Sequence, residues 1–125
     1  MSNSSRSVLV FGIYLLLSGL TFAFAPNAIL PLLGFAQTSE VWIRLVGLLA
    51  GILGMYFINA ARAGDRRFFG DTLTARLIFF SGVTLFVLLG WASPLLVLFG
   101  LIDLAGAAWT WLALRAEGKA STRAT

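Results

Sequence analysis

Four long apolar stretches alternate with short polar segments along the chain. The first stretch carries no charged residue, and each of the other three carries one within its apolar part. A helix needs about 20 mostly apolar residues to span a bilayer, and its backbone amides must be satisfied internally. We therefore predict an all-α integral membrane protein, a four-transmembrane-helix bundle with helices at residues 8–25, 41–63, 72–91 and 94–115. Residues 1–125 form a single domain with a flexible polar tail over 116–125.

Polar residues and prolines mark the ends of the predicted helices. Asp71 or Thr72 is expected to cap the third helix, and Ser93, followed by a proline, begins the fourth. Residues 27–35 are apolar but too short to span, so they either lie at the membrane interface or fold back as a short helix. The first stretch also has the layout of a signal peptide. Because Pro26 directly follows the small-residue site, we expect it to be retained as a helix.

The composition excludes a water-soluble domain. Of the 125 residues, 59% are hydrophobic and 11% are charged, whereas soluble domains carry about 25% charged residues. The chain has no Cys and no His, so thiol chemistry, imidazole bases and the usual zinc ligands are excluded. It also has no phosphate loop, nucleophile elbow or paired carboxylates. We therefore expect no enzyme activity, no catalytic residue, no cofactor and no metal site.

The positions of the basic residues predict the orientation in the membrane. One side of the four-pass arrangement has no Lys or Arg in its loops, and the other has Arg6, Arg62, Arg66, Arg67, Arg115, Lys119 and Arg123. By the positive-inside rule, both termini and the 64–70 loop are cytoplasmic. These residues flank the membrane and form no nucleic-acid-reading surface. The lipid bilayer is the expected partner, with headgroup contacts from Asn59, Arg62, Arg66 and Arg67.

Three charged residues lie inside the apolar stretches: Arg44, Arg76 and Asp103. Asp103 is near the middle of its predicted helix, and the two arginines are about one turn from the ends of theirs. A charge at the bilayer centre costs about 2.5–3.5 kcal/mol on insertion scales, so it should face protein and have a partner. One hypothesis is a buried ion pair that fixes helix register, and the other is an intramembrane polar site. Glu40, four residues before Arg44, has the spacing of a helical ion pair and would leave Arg76 for Asp103.

Small residues form a stripe on the second predicted helix. Gly47 and Gly51 have the GxxxG spacing that lets two helix backbones approach closely in lipid, and Gly54 extends the stripe. The stripe predicts close packing within the bundle. The same pattern is found where a helix packs against a second copy of a chain or another subunit, so a homo-oligomer or a larger membrane complex stays open.

The chain resembles small bacterial four-helix membrane proteins of the DoxX-like and BphX-like groups, through the segments APNAILPLLGF, WIRLVGLLAGILGMYF, FFGDTLTARLIFF and LFGLIDLAGAAWTWLALR. The resemblance covers nearly the whole chain through its general layout and includes no catalytic motif. It implies a four-helix bundle in a bacterial inner membrane. We predict a non-catalytic structural or accessory subunit of a membrane complex. The alternative is a small binding or transport protein for a lipid, quinone or other hydrophobic solute.

Overall fold

The computed structural model describes the backbone of residues 1–124 and the side chains of residues 1–118. Its elements are α1 (Asn3–Phe24), α2 (Pro26–Ile29), a 3₁₀ helix (Leu30–Leu33), α3 (Val41–Ala63), α4 (Arg66–Leu88) and α5 (Leu95–Ala124). The helices α1, α3, α4 and α5 are long and apolar enough to cross a membrane. The predicted all-α bundle of four membrane-length helices is confirmed, and the described residues contain no strand.

The helix α4 begins six residues before the predicted position. The carboxylate of Asp65 accepts a hydrogen bond from the backbone amide of Phe68 at 3.2 Å and caps the helix, which starts at Arg66. The expected caps Asp71 and Thr72 therefore lie inside α4. The hydrophobic pattern has no signal for this polar first turn, because charged residues at a membrane interface can continue a helix as readily as end it.

Serine side chains cap two further helices. The hydroxyl of Ser2 accepts a hydrogen bond from the amide of Ser5 at 3.1 Å, so α1 begins at Asn3 and not at residue 8. The hydroxyl of Ser93 accepts from the amide of Leu95 at 3.2 Å, in agreement with the cap predicted for the last helix. Both bonds satisfy amides that a helix start leaves without an intrahelical partner.

The last helix continues into the segment predicted to be a polar tail. Residues 116–118 belong to α5, and the carboxylate of Glu117 accepts hydrogen bonds from the Ser4 hydroxyl and from Arg66, both at 2.7 Å. These bonds attach the end of α5 to α1 and α4. The side chains of residues 119–124, and residue 125, lie outside the described part of the chain.

The apolar segment after α1 folds back onto the bundle. It forms α2 and the 3₁₀ helix, in which Leu30 is buried against Phe22 and Ile43. The segment turns at Gly34, whose φ of 83° lies in the left-handed region that favours glycine. Of the two arrangements predicted for this segment, the structure has the short helix.

Glycines allow α1 and α3 to pack with their backbones in contact. A Cβ atom added to Gly47 would lie 2.6 Å from the carbonyl oxygen of Gly19, and one added to Gly54 would lie 2.7 Å from that of Gly12. A Cβ at Gly51 would meet only the Leu16 side chain, at 3.9 Å. Gly51 therefore differs from the expectation, because a side chain at this position would point away from the contact between the backbones of α1 and α3. In the rest of the bundle α4 packs on α5, α1 also contacts α5, and α3 and α4 barely touch.

Candidate functional site

A cavity of about 590 Å³ lies between the four long helices. Its wall is mostly aliphatic and aromatic, and Leu30, Leu33 and Phe35 of the folded-back segment line one end. Small-molecule sites in proteins have volumes of about 300–1,000 Å³ and are largely apolar with a few polar groups. The cavity therefore has the size and the wall of a binding site.

The cavity opens sideways between α3 and α4. Val46 and Leu53 of α3 line it and are 47% and 45% exposed, and Phe79 and Phe86 of α4 line it and are 42% and 43% exposed. These two helices barely touch, so nothing in the described part of the chain closes the gap between them. When the helices span a bilayer, this opening faces the lipid chains.

Polar side chains converge on the cavity from three helices. Tyr14 and Ser18 come from α1, Arg76 from α4 and Asp103 from α5. Arg76 is 2% exposed and Asp103 is 7% exposed. The hydroxyl of Tyr14 is buried and has no hydrogen-bond partner among the described residues. Ionisable groups inside membrane helices are rare and face protein or a cavity, so this cluster is the candidate site.

The Nη1 atom of the Arg76 guanidinium group is hydrogen-bonded, and its Nε–Nη2 edge has no hydrogen-bond partner in the described structure. Its Nη1 donates a hydrogen bond to the Thr110 hydroxyl at 3.2 Å. The guanidinium carbon lies 4.1 Å from the ring centroid of Phe11 and 5.6 Å from that of Phe57, within the range of cation–π attraction. Nε and Nη2 are buried and have no hydrogen-bond partner in the described structure. These two nitrogens form one edge of the group, and their N–H bonds point the same way.

A chain of buried hydroxyls fixes the bonded edge of Arg76. The Thr110 hydroxyl lies 2.7 Å from that of Ser7, which donates to the backbone carbonyl of Ser4 at 2.7 Å. Thr110, Ser7 and Ser4 are at most 1% exposed. The Ser4 side chain and amide both bond to Glu117, so this series of hydrogen bonds extends from the cavity to the end of the bundle. It determines which way the guanidinium faces.

Arg76 and Asp103 share the cavity without forming a direct ion pair. Among the residues with described side chains, the one ion pair within 4.0 Å joins Arg66 to Glu117. The buried strut that the sequence suggested between Asp103 and an arginine is therefore absent as a direct contact. The site instead holds one cation and one acid, and Nε and Nη2 of the cation have no hydrogen-bond partner in the described structure.

Arg44 does not belong to this site. It is exposed, and its Nη1 donates to the backbone carbonyl of Ala23 at 2.6 Å, at the end of α1. It also forms no ion pair with Glu40 within the described structure. The expectation that Arg44 joins Arg76 and Asp103 is wrong because a free carbonyl at the end of α1 lies within its reach, and the arginine satisfies it.

The expected headgroup contacts lie at the end of the bundle that holds Glu117. Asn59, Arg62 and Arg67 are exposed on α3 and α4. Arg66 is 51% exposed but pairs with Glu117. Three of the four residues are therefore accessible to lipid headgroups, and the fourth also joins helices within the bundle.

Sequence reasoning missed the groups that support Arg76. Thr110 shares a stripe of small residues with Asp103, which predicts helix packing and not a contact with Arg76. Ser7 and Glu117 do not stand out, because a hydroxyl in a helix commonly bonds to its own backbone and an acid near a chain end is usually solvated. The signal was the helical spacing, which puts Thr110 seven residues after Asp103 on the same face of α5.

The described residues contain no group of three His, Cys, Asp or Glu side chains that could hold a metal ion. Comparison with protein-family models, with curated proteins and with solved structures gives no significant match to this chain. The resemblance to the DoxX-like and BphX-like groups therefore stays a prediction. The site has to be interpreted from its own geometry.

Proposed function

We propose that the protein binds a hydrophobic or amphipathic molecule, which enters its cavity from the bilayer through the gap between α3 and α4. The observation that carries this proposal is the apolar cavity with a sideways opening, together with Arg76, which lines it and has two nitrogens without a hydrogen-bond partner in the described structure. A ligand with an apolar body and a polar end would cover the wall and satisfy the buried donors. The proposal includes no catalytic step.

This proposal favours the alternative of a binding or transport protein over that of a structural subunit. Gly47 and Gly54 of the glycine stripe, which suggested docking to another subunit, form the contact of α3 with α1 within the chain. A strut that only fixes helix register would leave no buried donors unused, because an unsatisfied buried polar group costs about 1–3 kcal/mol. A homo-oligomer stays compatible with the proposal.

We further propose a bacterial inner membrane as the location, with both termini and the 64–70 loop in the cytoplasm. Bonds among Ser4, Arg66 and Glu117 support a shared side for the N-terminus, the loop and the end of α5. The excess of Lys and Arg on that side supports its assignment to the cytoplasm.

Native mass spectrometry of the protein, extracted from membranes in a mild detergent, tests the binding proposal. We expect an adduct of small-amphiphile mass, which organic extraction releases for identification. Ala50→Phe places a ring in the cavity wall and should remove the adduct. Leu49→Phe, at a neighbouring side chain that is 67% exposed and does not line the cavity, is the matched control and should retain it. Equal adducts in the two variants would place the molecule outside the cavity.

A further inference from the structure

We infer that the ligand is a single-chain amphiphile with an acidic head group, which the free Nε–Nη2 edge of Arg76 binds through two parallel hydrogen bonds. This inference rests on the proposed function and specifies the chemistry of the bound molecule. The two nitrogens are unpartnered but almost wholly covered by neighbouring side chains, so a side chain of the cavity wall has to move before a head group reaches them; Nη1 is already bonded to Thr110. A carboxylate, phosphate or sulfonate offers two oxygens at the spacing of this edge, whereas a lone carbonyl oxygen satisfies one donor and leaves the other bare.

The cavity sets the shape of the remainder of the ligand. Its volume of about 590 Å³ lies within the range of sites for drug-sized molecules. From Arg76, the wall continues along aromatic and aliphatic side chains to Leu30 and Leu33 at the other end. An acyl or alkyl chain would lie along this wall. The two-donor edge favours an acid over an alcohol or an ester at the head.

Charge balance assigns a role to Asp103. The charged side chains that line the cavity are Arg76 and Asp103, which together are neutral. A bound anion would leave one uncompensated negative charge in a low-dielectric site, which is strongly unfavourable. Asp103 therefore takes up a proton when the anion binds, and Arg76 exchanges one counter-ion for another. The titratable groups around Asp103 are Tyr14 from α1 and Arg76 from α4, while α3 and the 3₁₀ helix line the cavity with apolar side chains.

Binding of three probes to the full chain in maltoside micelles tests the head group. The probes are dodecanesulfonate, dodecanol with the same chain and no charge, and methanesulfonate with the same head and no chain. Hydrogen bonds to a charged group contribute about 1.5–3 kcal/mol, so we expect the sulfonate to bind at least about tenfold more tightly than dodecanol. Methanesulfonate should bind far more weakly. Binding of methanesulfonate as tight as that of dodecanesulfonate would identify a free-anion site and overturn the inference.

Substitutions at Arg76 separate charge from geometry. Arg76→Gln should remove the preference for the sulfonate, and Arg76→Lys, which keeps the charge but not the two-donor edge, should retain part of it. Arg44→Gln removes an arginine outside the cavity and should leave the preference unchanged. If dodecanol and the sulfonate bound equally well to wild type while Ala50→Phe blocked both, the head-group inference would be wrong and the proposed function would stand. If Ala50→Phe blocked the binding of neither probe, the head-group inference and the proposed function would both be wrong.

Proton uptake provides a second readout. A sulfonate does not titrate near neutral pH, so a proton taken up from a weakly buffered solution on binding must go to the protein. Wild type should take up a proton with each bound sulfonate, and Asp103→Asn should bind the sulfonate without uptake. Uptake of equal size in both proteins would contradict the role of Asp103.

Discussion

At the scale of single residues, the hydroxyl of Thr110 determines how Arg76 is presented to the cavity. It accepts from Nη1 of Arg76 at 3.2 Å and lies 2.7 Å from the hydroxyl of Ser7, with all three residues buried. Bonds in such a chain polarise one another in a low dielectric, so the group acts as a unit. Without Thr110, the guanidinium would have a third unsatisfied nitrogen and no fixed direction.

Thr110→Val therefore destabilises the protein, because it keeps the shape of the side chain and removes the acceptor. We expect a loss of about 1–3 kcal/mol in the free energy of unfolding in detergent, together with weaker binding of dodecanesulfonate. Thr21→Val is the matched control. The Thr21 hydroxyl bonds only to the Leu17 carbonyl of its own helix, and its loss should have little effect. Equal losses in the two variants would show that the bond to Arg76 contributes nothing specific.

A residue of the site could be predicted from the sequence only where its charge has to be buried against other parts of the bundle. Asp103 lies near the middle of an apolar helix, where a charge has to face protein, and it lines the cavity together with Arg76. Arg44 lies close enough to a helix end to reach the Ala23 carbonyl, which the sequence alone does not reveal. The free edge of Arg76 could not be predicted either, because it depends on a bond to Thr110 on another helix.

At the scale of elements, the α1–α3 pair depends on glycines at particular faces of the helices. Gly47→Ala should lower the free energy of unfolding by about 1–3 kcal/mol, because the new methyl group would overlap the backbone of α1. Gly51→Ala should be neutral or stabilising by up to about 1 kcal/mol, since alanine is the better helix former and the space is open. Chemical unfolding of the two variants in the same detergent makes the comparison. A Gly51→Ala loss as large as that of Gly47→Ala would contradict the register of the pair.

The start of α4 provides a second comparison within one element. Asp65→Ala removes the bond to the Phe68 amide, and we expect it to lower stability by about 0.5–2 kcal/mol. Asp71→Ala, inside the helix and exposed, should change it little. A larger loss of thermal stability in Asp71→Ala than in Asp65→Ala would place the start of the helix near residue 71, as the hydrophobic pattern alone suggests.

The elements themselves were predictable because a bilayer allows few alternatives. Apolar stretches of about 20 residues have to be helical, and the four long helices agree with that rule. Their polar ends were not predictable from hydrophobicity. Moving the start of α4 back to Arg66 puts Arg76 about 15 Å along the helix, at a rise of about 1.5 Å per residue, and not one turn from its end.

At the scale of the whole molecule, the bundle has one end held together by polar bonds and one side that is open. Ser4, Arg66 and Glu117 join three helices at the end that carries the exposed basic residues. Cysteine labelling in intact cells tests the orientation, since the chain has no cysteine of its own. Ser39→Cys should react with an impermeant thiol reagent, and Gly70→Cys should react only after lysis. Labelling of Gly70→Cys in intact cells would reverse the topology.

The central claim is that the cavity between the helices holds an amphipathic molecule from the bilayer. The most direct test is an experimental structure of the full chain grown with an alkyl sulfonate that carries bromine at the end of its chain, with the bromine located by its anomalous signal. We expect the bromine inside the cavity, beside Leu30 and Leu33, and the sulfonate on Nε and Nη2 of Arg76. A bromine signal found only on the outer face of the helices, with the cavity empty, would contradict the claim.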